Sequence, residues 1–336
     1  MEQISEFKDR KGSLIFFGIL EIIIGFFAFL FFLIMLLSMS VMMNSPVPTQ
    51  PKMSGLSFIL IPLIYLFISA IFISLGIGSI KLKRWARSLS LLISWFTLFA
   101  GIGIIIVLTF FMGGVFEQIR LSGRSNEEVI FFVKILMYSI FGVFLILLPV
   151  VFILFYRSSN VIKTVQKYDL KERWTDKVPL PVLALCFLLL YTAITPPFYL
   201  LGSFGMPFIG FFLSGWLAVI IIVMNSAICI YLVLNVYKLR MKAWYYSLFY
   251  YVFGWVSTIT TFMLNDVYTF YHKMNMTPKE INNLKVLGIT NDSFLTILIY
   301  SGIPYLLFLI YTKRFFKSEV ADENYLNTEQ QINPPN

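Results

Sequence analysis

A chain of 336 residues that is 59% hydrophobic and only 13% charged, with a mean hydropathy of +0.83, carries far more apolar surface than a soluble domain, where about a quarter of residues are charged. Its net charge of +9 does not point to nucleic acid, because Lys and Arg cluster in short turns between apolar runs, where they act as topology signals. Two Cys and one His are too few for a disulfide framework or a multi-ligand zinc site.

The first apolar run, Ser13 to Met43, follows Lys8, Arg10 and Lys11 and is interrupted only by Glu21. It is about twice the length of a signal-peptide core and lacks a small-residue cleavage site, so it reads as a retained span. Asn44 to Lys52, with Pro46, Pro48 and Pro51, is a non-helical outer turn. A second span, Gly55 to Ile80, repeats Ala70, Ser74 and Gly78 every four residues, a face small enough for close helix contact. Lys81-Leu82-Lys83-Arg84-Trp85-Ala86-Arg87 then places four positive charges in one short turn, which belongs on the cytoplasmic side. The third span is Ser88 to Phe111, with Thr97 and Gly101 on one face. A mixed-charge outer turn, Glu117 to Glu128, precedes a fourth span, Val129 to Tyr156, that contains Lys134 and Pro149. A Pro at that depth is tolerated where neighbouring helices satisfy the freed carbonyl.

Arg157 to Lys177 holds six basic residues and reads as an inner linker at the membrane surface. Asn160 is placed to cap a short helix with Val161, Val165 and Tyr168 along one side. The fifth span starts at Pro179 to Pro181 and ends near Pro196-Pro197; a Gly-rich outer turn, Gly202 to Gly210, leads to the sixth, Phe211 to Tyr237. Lys238, Arg240 and Lys242 make the next inner turn before the seventh span, Ala243 to Leu264. The outer segment Asn265 to Asp292 contains a capping box, Thr277-Pro278-Lys279-Glu280, and the eighth span is Ser293 to Thr312. A polar tail follows Lys313, Arg314 and Lys317.

Of the 26 Lys and Arg, 19 fall in the inner segments and 6 in the outer ones. The expectation is therefore an all-α polytopic membrane helix bundle of about eight transmembrane helices, with both termini cytoplasmic. Its two four-helix halves would be residues 1–178, including the linker, and 179–336, including the 265–292 loop and the tail. Lys81-Leu82-Lys83-Arg84-Trp85-Ala86 followed by Trp95 echoes Lys238-Leu239-Arg240-Met241-Lys242-Ala243-Trp244 followed by Trp255, which suggests parallel repeats. Against this, any basic inner turn flanked by interfacial Trp looks similar.

The stretch Gly76-Ile77-Gly78 through Lys83-Arg84-Trp85-Ala86-Arg87, with Arg173-Trp174-Thr175-Asp176, resembles uncharacterised bacterial multi-pass membrane proteins. The resemblance covers about a tenth of the chain and implies the bacterial cytoplasmic (inner) membrane. It carries no activity and no site residues.

Ionisable groups inside spans are expensive and are functional candidates by default. Glu21 shares a three-four spacing with Gly18, Gly25 and Ala28, so it should point into the bundle. Lys134 shares a face with Tyr138 and Gly142 but lies close enough to the outer edge to snorkel. Ser247, Tyr251, Gly254, Thr258, Thr261 and Asn265 form a polar seam on the seventh span, and Ser214, Ala218, Asn225 and Cys229 share a face of the sixth. These groups either bond between helices or line a hydrated pathway between the first, sixth and seventh spans. Cys186 and Cys229 fall at similar depth near the inner side and are expected to be free thiols. His272 lies in the outer loop, and no paired intramembrane carboxylates, HExxH or nucleophile elbow occurs.

Two function classes follow. One is a non-catalytic accessory or scaffold component of a membrane assembly, favoured by the scarcity of polar groups within the spans. The other is a small-solute, ion or lipid transporter using Glu21 and the polar face of the seventh span. No cofactor or enzymatic role is expected; the expected partners are membrane lipids and other membrane proteins, with no nucleic acid.

Overall fold

The protein is an all-α polytopic membrane helix bundle. A computed structural model describes residues 7–44, 55–121, 127–199, 206–273 and 290–316, with isolated positions between 278 and 284. The proline turn at 44–52, the capping box at 277–280 and the polar tail lie wholly or mostly outside the described residues. Among the described residues seven helices are long and apolar enough to cross a membrane, and the eighth expected span is a shorter apolar helix, Leu180–Pro196. The helices present Phe26, Phe67, Phe131, Leu154, Trp216 and Leu307 outward, as a lipid-facing surface requires. The chain divides into two compact units, Met1–Lys177 and Val178–Asn336.

In the first unit, α1 (Lys11–Asn44) pairs with α2 (Gly55–Ile80) along a seam of glycines. A methyl group added at Gly18 would stand 2.8 Å from the Gly76 carbonyl oxygen, and one at Gly25 would stand 2.8 Å from Ile73 Cγ1 and 3.1 Å from the Ser69 carbonyl oxygen. The backbones can approach this closely only where side chains are absent. The buried face of α2 is thus Ser69, Leu75, Gly76 and Ser79, whereas Ala70 and Ser74 are exposed. Of the expected Ala70-Ser74-Gly78 face only Gly78 is buried, against Trp85 and Ala86, and the seam with α1 runs instead through Ser69, Ile73 and Gly76.

Helix α3 (Arg84–Leu121) runs well past the expected span and takes up the start of the supposed outer turn. The fourth span comprises α4 (Glu127–Gly142), a π-helical turn (Val143–Leu147) and α5 (Leu148–Arg157). The π turn has a local cause. Pro149 cannot bond the Leu145 carbonyl four residues back, and that carbonyl lies instead against Gly101 of α3, where an added methyl would stand 2.5 Å from it. The linker folds into α6 (Ser159–Tyr168), which starts one residue before the expected Asn160 cap. Its Val161, Thr164 and Val165 are buried and Tyr168 is exposed. The Thr164 hydroxyl accepts from the Arg10 N–H at 3.0 Å, which ties the linker to the start of α1.

In the second unit, α7 (Leu180–Tyr199) packs on α8 (Gly215–Tyr237). Between them, residues expected as a loop and the first turn of a helix form an antiparallel hairpin, β1 (Met206–Phe208) and β2 (Phe211–Leu213). Its two-residue turn has both residues at positive φ, Ile209 (+40°) and Gly210 (+84°), the mirror-image turn that suits strand twist. Helix α9 (Met241–Leu264) follows, then a short α10 (Val267–Lys273), and α11 (Asn291–Thr312) closes the unit. The Thr290 hydroxyl caps α11 by accepting from the Ser293 N–H.

One turn recurs in both units. Leu82 and Leu239 sit at φ +54° and +58°, a conformation normally left to glycine at helix C-termini. Around them the bonds are the same. The Leu82 N–H donates to the Ser79 carbonyl and the Lys83 N–H to that of Gly78, while the Leu239 N–H donates to the Val236 carbonyl and the Arg240 N–H to that of Asn235. The correspondence extends into the helices. Gly18 approaches the Gly76 carbonyl, and at the matching place the Cys186 thiol faces the Val233 carbonyl at 3.9 Å. Gly25 lies by the Ser69 carbonyl, and the Ser226 hydroxyl donates to the Ala193 carbonyl at 2.7 Å. The Arg87 side chain donates to the Tyr156 carbonyl at 3.0 Å, and the Trp244 indole donates to the Leu309 carbonyl at 2.9 Å.

Candidate functional site: a buried carboxyl and three hydroxyls

Helix α1 buries Leu14, Gly18, Glu21, Gly25 and Ala28 and leaves the positions between them half-buried or exposed, because the small residues of that stripe admit α2. The spacing carries Glu21 inward with them, where it is 1% exposed. Three other helices supply its surroundings. From α2, the Ser79 hydroxyl donates to Glu21 Oε2 at 2.9 Å. From α5, the Tyr156 hydroxyl lies 3.1 Å from Glu21 Oε1 and 2.9 Å from Ser79 Oγ. From α3, Ser90, 2% exposed, lies beside both the carboxyl and the phenol, and its hydroxyl makes no hydrogen bond of normal geometry. Phe17 stacks on Phe155 at 3.9 Å and packs edge-on against Tyr156, fixing the phenol's position.

The cluster lies near the end of the bundle that carries the basic turn, since Ser79 and Tyr156 are one residue from the ends of α2 and α5. At this end, outside the spans, Asp169 is buried and accepts from the Arg84 N–H at 3.2 Å and from the Arg173 guanidinium at 3.3 Å, with Lys83 Nζ 3.9 Å away. Burial alone would raise its pKa, but the bonds from Arg173 and the Arg84 N–H, with the Lys83 charge, hold it below the ordinary carboxylate value. Asp9 is held low by the Lys11 N–H and by Tyr168 and Lys167 of α6.

The remaining candidates have separate partners. Lys134 is half-buried with its ammonium 5.0 Å from the centre of the Phe116 ring, an anchoring contact. Asn225 belongs to a closed network. It accepts from the Tyr250 hydroxyl at 2.7 Å and donates to the Thr192 carbonyl at 3.2 Å, while the Cys229 thiol, one of two free cysteines, donates to Tyr250 at 3.1 Å. Thr258 is half-buried and bonds the Gly254 carbonyl of its own helix. Thr261 accepts from the Gly210 N–H at 2.9 Å, Ser257 from the Ile209 N–H at 2.8 Å, and Asn265 donates to the Gly210 carbonyl at 2.7 Å. The outer part of the polar seam on α9 therefore holds the hairpin turn, and Gly254, in its middle, is exposed. Ser214, expected on the buried face of α8, is exposed just ahead of that helix.

Ser79, Tyr156 and Ser90 are the residues that sequence reasoning did not single out. Ser79 and Tyr156 are each the penultimate residue of a helix at the basic end, but nothing local reveals that they meet Glu21.

The matching positions of the second unit sharpen the contrast. Three residues after Cys186 stands Leu189, where Glu21 stands after Gly18. Three after Val233 stands Val236, where Ser79 stands after Gly76, and Leu309 answers Tyr156. These three are 1%, 0% and 0% exposed. One half has a carboxyl and two hydroxyls at a place the other fills with hydrocarbon. Among the described residues no group of three or more His, Cys, Asp or Glu is placed to hold a metal ion. Comparison with known families, curated proteins and solved structures finds no match to this chain.

Proposed function

We propose that this multi-pass membrane protein is a small-solute or ion carrier whose working group is Glu21. The reading is carried by the contrast between halves: Leu189, Val236 and Leu309 fill the equivalent positions, so packing does not require an acid there. Ionisable side chains within spans are rare and functional by default, and the second unit fills the same place with hydrocarbon that is equally buried. The proposed orientation, with both termini on the cytoplasmic side, rests on the basic turns, and the proposed bacterial cytoplasmic membrane rests on the resemblance carried by Gly76 to Arg87. No catalytic step is part of the proposal.

A second reading, an accessory or scaffold subunit, is favoured by the second unit, whose polar residues serve internal bonds: Asn225 with Tyr250, and Thr261 and Asn265 with the hairpin. Reconstitution into liposomes with an entrapped pH-sensitive dye, under imposed Na⁺ or K⁺ gradients, separates the two. The carrier reading expects a wild-type flux that Glu21→Gln abolishes while melting in detergent is unchanged. Absence of flux from the wild type, with a membrane protein copurifying stoichiometrically, would favour the scaffold.

A further inference from the structure

We propose that Glu21, Ser79, Tyr156 and Ser90 form a proton-binding site in which the Ser90 hydroxyl takes over as hydrogen-bond donor when the carboxyl ionises. The assignment deepens the carrier reading and rests on Glu21 being its working group.

The number of hydrogens available to the cluster decides its charge state. Glu21, Ser79 and Tyr156 make a triangle of three oxygen–oxygen contacts, at 2.9, 3.1 and 2.9 Å. Each contact needs one hydrogen between its two oxygens. The serine and the phenol bring two. With Glu21 ionised, one side of the triangle has no hydrogen, and two oxygen lone pairs face each other in a site sealed from water. With Glu21 protonated there are three hydrogens for three sides. Glu21 donates to Tyr156, Tyr156 to Ser79, and Ser79 back to the carboxyl, a closed ring in which every donor is used once. The observed triangle therefore fits the neutral acid.

Ionisation then removes one hydrogen from the ring. The proton leaves Glu21 for water, and the site must find another donor for the carboxylate. Ser90 is placed to supply it, because its hydroxyl lies beside the carboxyl and the phenol without a hydrogen bond of normal geometry to either or to its own helix. The second unit shows that a serine at this place need not be left so. Ser247, the matching residue, is equally buried and donates to the carbonyl of Ala243, four residues back in its own helix, at 2.8 Å. Ser90 does not make that local bond and stays available to the site.

Other charges near the site do not take the proton's place. Arg87 of α3 directs its Nε–H to the Tyr156 carbonyl, and the charge facing it is that of Asp176. Helix α2 contributes only Ser79, and α6 presents Val161, Thr164 and Val165 to the bundle. Among the described residues Glu21 has no ion-pair partner.

The test is infrared difference spectroscopy of the full chain in lipid nanodiscs during a pH titration. The C=O stretch of a carboxyl still protonated at neutral pH, where ordinary carboxyls are ionised, is expected in the wild type, lost at alkaline pH and missing at neutral pH and above in Glu21→Gln. In Ser90→Ala the band should survive to a pH about one unit higher, because a donor to the charged form has been removed. Ser247→Ala should titrate like the wild type, which controls for loss of any buried hydroxyl. A wild type with no such band at any pH, a band that never titrates, or a Ser90→Ala titration identical to wild type would overturn the proposal. A titrating band without flux would sink the carrier and leave the proton site; flux without a titrating band would do the reverse.

Discussion

Glu21, Ser79 and Tyr156 can be exchanged for the residues that already fill their places in the other half. The triple variant Glu21→Leu, Ser79→Val, Tyr156→Leu should fold and be as stable as the wild type or more so by about 1–3 kcal/mol, since well-packed hydrocarbon commonly equals or exceeds a buried polar cluster. Thermal unfolding in detergent reads this; a loss of several kcal/mol would show that the cluster holds the helices together. Asp169 gives a second single-residue test. Its pKa is lower in the folded protein than the ordinary value, so the ionised form favours folding. That contribution is fully present above the ordinary carboxylate range and is lost as pH falls through the folded-state value. Asp169→Asn should therefore be less stable than wild type at neutral pH, with the difference shrinking on acidification below about pH 4. A difference that grew with acid would reverse the assignment.

At the scale of helices, close approach sets what can change. Gly76 of α2 meets the Gly18 carbonyl, and an added methyl would stand 2.6 Å from Ile22 Cγ1. Gly76→Ala should destabilise by about 1–3 kcal/mol, and Gly103→Ala, where an added methyl meets nothing, should not. How much of this was legible follows from how local each signal is. The buried stripe of α1 could be read because it repeats within one helix, and Glu21 with it. The contact face of α2 was misread because Ala70, Ser74 and Gly78 satisfy the same spacing as the true seam, and the choice is made by Gly18 on another helix. Phe211, Phe212 and Leu213 looked like the start of a span because hydropathy does not distinguish a strand from a helix over three residues. What makes them a strand is a turn held by Ser257 and Thr261, some fifty residues away. Ser90 gave no sign, since a serine in an apolar helix commonly bonds back to its own backbone, as Ser94 does to the Ser90 carbonyl.

For the molecule as a whole, apolar spans and basic turns were plain from composition, and the polar tail and the outer loop contribute little to that pattern. The sidedness proposed above is open to a direct check in a Cys186- and Cys229-free background. Leu170→Cys should be inaccessible to an impermeant thiol reagent on intact cells and Thr269→Cys accessible; both positions are exposed, so the opposite pattern would invert the topology. The recurrence of the Leu82 turn at Leu239 has a different consequence, for synthesis. All four side chains of the carboxyl site precede residue 157, and the turn that sets α2 against α3 is complete within the first unit. At roughly 5–20 residues per second, the ribosome needs roughly ten to thirty seconds to make the second unit. Through that interval the nascent first half already owns every group of its acid site, so a defect introduced downstream of Lys177 should leave a membrane-inserted fragment able to assemble that site by itself.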